Sequence, residues 1–507
     1  MEKLTKRILA IVLIAVIGVG VGITVWIFVA PYPWSKSDVP GLENSNINIT
    51  EDQIIRIGVL GGMTDIQGKG AYEGAYLAAK EINTDPDNPG VVVNGKQYYI
   101  GITTEDTQES YTNLDITTGN AAAQRIINYK RAQFLLGGFR SESLLAYQEI
   151  IMDNKIVFLS TGAATDIFTM NVRGFPAGNY PGVPNFPGSN YDRYKYFFRV
   201  TPINSTSLGG EILSFVAGLM TQLNTTLNYG HAMTHNITRI GILREDLTWT
   251  EPLAYAIKNY LPAPFHVVNE IKYPITVSAG SFTTYLQSLN SSGVQVLVPI
   301  ISAQGGQYMV QAYSALHPNY IIVGIDVQGQ LDSYWSSTNK DCAYETMLQT
   351  VVRTNRTSLT ENMWDAYIDE WGDSPLYTAC GGYDAIYMYR WAINETQSFN
   401  SDDIVTALET INTANPLEGA SGWAAFTSSH DVQEGWPYGI ALFCQWQPTT
   451  SSTGNKTIVS SPYSKYPHPI NKLPSPPYPA GLGKLYPDTL TGVYPYTIIP
   501  WGINSGL

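Results

Sequence analysis

Five side chains with useful chemistry stand just past an apolar run: Ser141, Thr165, Trp249, Ser302 and Asp326. A short Ser or Thr hydroxyl at a strand end sits beside backbone N–H groups that no ladder uses, and together they can grip a carboxylate. A carboxylate on a facing element can make a charge-assisted bond to an ammonium, and an apolar wall can receive the rest of a small solute. Each residue also has a plainer reading when taken alone. Gly137-Gly138 and Gly162 suit tight strand-to-helix turns, Asp326 suits a helix N-cap, and Trp249 suits a packed core aromatic. Their recurrence at successive strand ends favours the binding constellation. Arg140 and Glu142, on either side of Ser141, read as a solvated or mutually paired couple.

Catalytic signatures are poor. His231 and His235 have i, i+4 spacing, but no Glu completes an HExxH arrangement and the stretch lies between two sequons, so a surface loop is the better reading. There is no Gly-x-Ser-x-Gly elbow, Walker loop or CxxC pair, and none of the 6 His stands beside an evident Ser or Cys nucleophile. No enzyme activity, metal or cofactor is expected. Lys and Arg total 29 against 42 Asp and Glu, a net charge of −13, which is the wrong sign for neutralising phosphates and excludes a nucleic-acid partner. Only 14% of the 507 residues are charged, so with 34 Tyr and many Asn, Ser and Thr the surface must be polar without being charged. That composition points outside the cell.

Periodicity supplies the elements that must carry these side chains. Strands are expected over 54–60, 98–104, 134–136 and 156–159, alternating with helices over 71–82, 117–129 and 143–152. The alternation restarts after Val200, with helices over 208–223, 251–260, 282–289 and 306–316 between strands over 237–243, 265–271, 295–301 and 320–325. Such alternation specifies a mostly parallel sheet covered on both faces, and two series imply two α/β lobes. Open parallel sheets bind ligands beyond the carboxyl ends of their strands, so two facing sheets would form a cleft. The Gly-, Pro- and Tyr-rich stretch 174–194 interrupts the pattern. From 447 to 507 periodicity disappears, and the segment reads as an extended coat or a docking tail.

The N-terminal sequence suggests an address. Residues 1–7 carry Lys3, Lys6 and Arg7 against Glu2, and the next 23 residues, 8–30, are apolar without one charge. As a helix that run is about 34 Å long, enough for a hydrocarbon core of ~30 Å. Tyr32 and Trp34 follow like an interfacial belt, so an uncleaved anchor is favoured over a cleaved signal, with everything after Pro31 outside. Residues 31–53 read as a stalk. Eight Asn-x-Ser/Thr sequons make the exterior chain a candidate glycoprotein. The 3 Cys allow one disulfide, with Cys342 and Cys380 the preferred pair and Cys444 a small buried hydrophobe.

The succession of motifs resembles the leucine/isoleucine/valine-binding branch of the type I periplasmic binding proteins, the ligand receptors of ABC importers. The resemblance rests on Ile55-Arg-Ile-Gly-Val-Leu-Gly-Gly-Met-Thr64, Gly74-Ala-Tyr-Leu-Ala-Ala-Lys-Glu-Ile-Asn83, Leu135-Leu-Gly-Gly-Phe-Arg-Ser141, Ser160-Thr-Gly-Ala-Ala-Thr165, Phe198-Arg-Val-Thr-Pro202 and Gly419-Ala-Ser-Gly-Trp423, in family order. It implies two parallel-sheet α/β lobes joined by three crossovers and closing like a clamp. Lobe 1 would comprise 54–202 with 353–424, and lobe 2 would comprise 203–352 with 425–446, followed by the extension 447–507.

The family's site carries over position by position. Ser141, or Ser143 if an indel shifts the register, would hold a ligand carboxylate. Ala163 would offer its carbonyl to the ammonium, and Thr165 would serve both ends. Asp326 stands where the second lobe supplies a glutamate to the ammonium. Trp249 takes an aromatic pocket position, Ser302 replaces a common tyrosine, and Asn204 replaces a crossover aspartate. The loop of Asp65, Ile66 and Gln67 is shorter than the family's. The resemblance implies a receptor that captures an amino acid or similar small polar solute for an ABC permease. The alternatives are a ligand-sensing ectodomain of the same fold and a structural or adhesive surface protein.

Overall fold

A computed structural model describes residues 31–225, 236–303, 305–354, 356–435, 438–439, 441–447 and 454–459. The expected anchor at 8–30, the His231/His235 stretch and most of the C-terminal extension lie outside the described residues. Among the described residues, no helix is long and apolar enough to cross a membrane.

Lobe 1 begins with β1 (Ile54–Gly61), α1 (Ile66–Thr84), β2 (Val91–Val93), β3 (Lys96–Asp106), α2 (Ile116–Gln124), β4 (Phe134–Gly137), α3 (Ser141–Asp153) and β5 (Phe158–Ser160). It continues with α4 (Ile167–Val172), the hairpin β6 (Gly178–Tyr180) and β7 (Val183–Phe186), α5 (Tyr191–Tyr194) and β8 (Phe197–Arg199). The sheet order is β2-β3-β1-β4-β5-β8, parallel throughout except for β2. Strands β4 and β5 are buried at every residue, because helices cover both faces.

The chain then crosses into lobe 2, made of α6 (Ser205–Thr225), β9 (Arg239–Glu245), α7 (Thr250–Tyr260), β10 (His266–Tyr273), α8 (Ala279–Ser291), β11 (Val296–Ile301), α9 (Gly306–Leu316), β12 (Ile321–Asp326), α10 (Tyr334–Ser337) and β13 (Thr346–Gln349). It returns to lobe 1 for α11 (Ser358–Trp371), α12 (Tyr377–Thr396), α13 (Ser401–Leu408) and the hairpin β14 (Leu417–Gly419) and β15 (Gly422–Ala424). A third crossover leads back to β16 (Leu442–Gln447) and β17 (Asn455–Ile458), which close the second sheet in the order β10-β9-β11-β12-β13-β16-β17. The last two strands run antiparallel to their neighbours. The part of the extension that is described is therefore an edge strand of lobe 2.

Helix α12 lies directly on α1. A β-carbon on Gly74 would fall 1.9 Å from the Ala379 carbonyl oxygen, so glycine is what permits this approach. Tyr367 and Glu73 join α11 to α1 through a hydroxyl–carboxylate bond of 2.6 Å.

Two expectations change. Residues 31–53 pack on lobe 1 instead of standing off as a stalk: Trp34, Val39, Leu42 and Ile49 are buried with Ile54 and Tyr99. The Trp34 indole N–H donates to the Lys130 carbonyl, Tyr32 N–H donates to Tyr129 O at 2.9 Å, and Asn83 donates to Pro40 O at 3.1 Å. The apolar residues scattered through a polar segment are what fasten it. The disulfide does not form either, since Cys342, Cys380 and Cys444 are all free and buried. Cys380 sits on α12 in lobe 1, 3.8 Å from the Met363 sulfur, whereas Cys342 lies between α10 and β13 in lobe 2. Cys444 is buried in β16, the small hydrophobe that its apolar run suggested.

Candidate functional site

The loops at the carboxyl ends of β4 and β5 face those of β9, β11, β12 and β13 across the gap between the lobes. Phe139, Arg140, Ser141, Trp249, Ser302 and Ile325 are among the residues that line the cleft, together with Leu348, Thr350 and Tyr377. They enclose only about 40 Å³, so the lobes are closed on one another. Hydrogen bonds span the gap: Gln67 Nε2 donates to the Ser302 carbonyl at 3.0 Å, Thr248 N–H donates to Glu142 Oε1 at 2.6 Å, and Asp332 N–H donates to Ser374 Oγ at 3.0 Å. Glu142 is thus a bridge to lobe 2, not a solvated neighbour of Ser141.

Ser141 opens α3, and its Oγ accepts the Thr165 N–H at 3.3 Å. The buried Thr165 hydroxyl and Trp249 indole N–H make no hydrogen bond. Thr165 also gives its carbonyl to Arg199, whose guanidinium reaches Asp431 at 3.1 Å. The structure therefore brings Ser141, Trp249 and Ser302 together around one apolar space, with the fully buried Thr165 behind Ser141.

Beside it is a charge expected to be solvated or paired with Glu142. Arg140 is 2% exposed. Glu109 of lobe 1 accepts the N–H groups of Phe139 and Arg140, each at 3.2 Å. Glu245, the last residue of β9, accepts the Ser302 N–H at 3.0 Å, the Ser302 hydroxyl at 2.6 Å and the Ala303 N–H at 3.2 Å. Burial pushes the Glu109 carboxyl up to about 7, against the pull of its two N–H donors and of Arg140. Burial also raises Glu245, and the Arg140 charge is the foremost influence opposing it. One guanidinium thus serves a carboxylate from each lobe. An Arg two residues after a strand-end Gly-Gly, and a Glu ending an apolar strand, were the available signals.

Four expected positions fall elsewhere. Asp326 ends β12 but turns into its own lobe, accepting the Tyr334 hydroxyl at 2.8 Å and the Gln328 N–H at 3.0 Å. It lies under Gly306, where a β-carbon would come within 2.2 Å of its carboxylate. Its neighbour Glu345 is pushed well above the carboxylate range by burial and then by the Asp326 charge. Asp326 therefore presents no acceptor to the cleft. Ser143 faces α2, where a β-carbon on Gly119 would meet its Oγ at 2.8 Å. Asn204 belongs to the first crossover, where it accepts the Ser207 N–H at 2.7 Å and donates to Asp431 at 2.9 Å. Ala163 is buried in the core, and its neighbours Gly162 and Ala164 line the cleft in its place.

Two α/β lobes closed on a seam of this kind define a clamp-type binding protein, and the sequence agrees. The profile described as periplasmic binding protein matches residues 54–435, and the chain belongs to that family. It is an extracytoplasmic type of binding protein and not an enzyme. Among solved structures, it is similar to the branched-chain amino acid transporter substrate-binding protein LivJ of Streptococcus pneumoniae in complex with isoleucine, at 15% identity and a TM-score of 0.59, covering 80% of this chain and 99% of that one. The leucine-binding protein LivK of Thermotoga maritima is similar at 15% identity and 0.59, covering 80% and 98%. A solute-binding protein of an ABC transporter from Rhodopseudomonas palustris, in complex with 3,4-dihydroxybenzoic acid, is similar at 14% and 0.59, covering 80% and 95%. No curated protein sequence matches the chain.

Proposed function

We propose that the protein captures an amino acid or a related small carboxylate by lobe closure and presents it to an ABC permease, while its N-terminal segment tethers it to the outer face of the membrane. The observation that carries this reading is the seam itself, where Ser141 and Arg140 of lobe 1 meet Trp249 and Ser302 of lobe 2 around one apolar space. A carboxylate entering there finds the Arg140 guanidinium, the Ser141 hydroxyl and the start of α3, whose unpaired N–H groups favour an anion. Phe139, Trp249, Ile325 and Leu348 supply the wall for an apolar body. With Asp326 turned away, Glu245 and Glu109 are the carboxylates left near the seam for an ammonium. Contacts from both lobes bind the closed state more tightly than the open one, which is what a ligand-driven closure requires.

A thermal-shift panel of amino acids, aromatic carboxylates, amides, short peptides and sugars on the full-length chain tests the reading. At 1,000 times its dissociation constant the right solute stabilises by about 4 kcal/mol and raises Tm by several degrees. Ser141→Ala should reduce that shift and leave the unliganded Tm nearly unchanged, whereas Trp249→Ala should reduce the shift and also lower the unliganded Tm, because the indole is only 6% exposed. Absence of a shift with every compound sinks the proposal. Loss of cellular uptake of the identified solute on deleting the chain separates delivery to a permease from sensing. Recovery of the chain in the soluble fraction on deleting residues 1–30 tests the tether.

A further inference from the structure

Six of the Asn-x-Ser/Thr sequons have described side chains, and the fold sorts them. Asn48, Asn236, Asn290 and Asn394 are exposed, whereas Asn204 and Asn224 are half-buried. Each half-buried residue has both amide atoms committed. Asn204 donates to Asp431 at 2.9 Å and accepts the Ser207 N–H at 2.7 Å, while Asn224 donates to the Ile237 carbonyl at 2.9 Å and accepts the Ile237 N–H at 2.8 Å. The exposed four share a place in the fold. Asn236 stands just before β9, whose far end carries Glu245 beside the seam. Asn290, in the last turn of α8, accepts the N–H of Asn319 at 3.0 Å, just before β12. Asn48 precedes β1, and Asp52 ties its segment to Lys96, the first residue of β3. Asn394 lies in the last turn of α12, and Gln397 beyond it accepts the Asn94 N–H at 2.8 Å in the turn before β3. Tyr377, at the other end of that helix, lines the seam, so Asn394 stands about 25 Å from it along the axis.

All four thus lie at the amino ends of the parallel strands, the pole opposite the carboxyl ends where the lobes meet. Asn204, next to the cleft-lining Ile203, is instead closed by its own hydrogen bonds. The fold therefore accepts a bulky polar group at the far pole and refuses one beside the cleft. We propose that Asn48, Asn236, Asn290 and Asn394 carry N-linked glycans, which coat the pole remote from the seam and leave the rim bare for solute entry and lobe closure. In the transfer, the Asn amide nitrogen bonds to the anomeric carbon of a lipid-phosphate-linked oligosaccharide. The anomeric carbon–oxygen bond breaks, the lipid phosphate leaves with its electron pair, and the nitrogen gives up one proton. The hydroxyls two residues on, of Thr50, Thr238, Ser292 and Thr396, complete the acceptor sequences. Such glycans supply the polar, uncharged cover that a chain with only 14% charged residues calls for. The proposal rests on export of the chain and not on which solute the seam takes.

Chymotryptic peptides of the full-length chain, purified from the cells that make it and sequenced by electron-transfer dissociation, test the assignment. Asn48, Asn236, Asn290 and Asn394 should each carry sugar, and Asn204 and Asn224 none. A chain with Thr50→Ala, Thr238→Ala, Ser292→Ala and Thr396→Ala together should lose the sugar from all four peptides, with a correspondingly lower intact mass. If that chain fails to fold, the peptide map of the parent decides alone. An unmodified intact mass, sugar at Asn204 or Asn224, or sugar confined to one lobe would each overturn the proposal. The seam is tested separately by the thermal-shift panel, which an unglycosylated chain can still pass, so failure of one reading leaves the other standing.

Discussion

Glu109 shows how a single buried carboxyl makes the seam responsive to pH. Folded, it titrates at about 7, against 4.5 for an ordinary glutamate, because burial outweighs its hydrogen bonds and Arg140. Below both values the group is neutral in either state and costs nothing. Between them the folded chain holds a proton that the unfolded chain has released, so stability falls as pH rises, and it levels off above about 7. The full span corresponds to about 3 kcal/mol. Urea denaturation at about pH 4.5 and about pH 8 should show that Glu109→Gln loses less stability between the two than the parent chain does. Equal losses would mean that Glu109 does not carry the effect. Ser141, Trp249 and Ser302 could be named from the sequence because each follows a strand-length apolar run at a position that the family resemblance picks out, and all three line the cleft. Arg140, Glu109 and Glu245 were not, since a charge beside a loop reads the same whether it meets solvent or a partner from the other lobe. Asp326 shows the converse: its position at a strand end was right, but Tyr334 and the Gln328 N–H turn its carboxylate into lobe 2.

The same contrast holds for the elements. The βα alternation of both sheets was readable because long buried strands and amphipathic helices have distinct periods. Strands β2, β6, β7 and β17 have only 3 or 4 residues each, too few to show one. The hairpin β6–β7 has a further property, because its turn reaches α7 of lobe 2. Gly182 follows Pro181 at φ +73°, and a β-carbon on it would stand 2.9 Å from the Pro252 ring. That turn needs glycine at this place, both for its backbone and for its contact. Gly182→Val should cost roughly 1–2 kcal/mol in backbone strain and lift the hairpin off α7, weakening solute affinity several-fold. Unchanged affinity in a titration of the variant would show that the hairpin does not help hold the lobes shut.

For the whole molecule, closure is a balance of few contacts. The Gln67–Ser302 bond exists only while the lobes meet, so Gln67→Ala removes it from the closed state alone. A hydrogen bond of this kind contributes about 1 kcal/mol, so Kd should rise roughly fivefold, with the unliganded Tm within a degree or so of the parent's. Small-angle scattering should then find a larger radius of gyration for the variant at subsaturating solute. An unchanged Kd would place the control of closure elsewhere. The strap of residues 31–53 adds a mechanical consequence. Its Trp34, Val39 and Leu42 are locked into the flank of β1 and β3, so a pull applied at residue 31 is delivered to lobe 1 and bypasses the crossovers. Lobe 1 is then the stator and lobe 2 the swinging arm, and whatever holds the chain before residue 31 fixes which lobe a docking partner sees move.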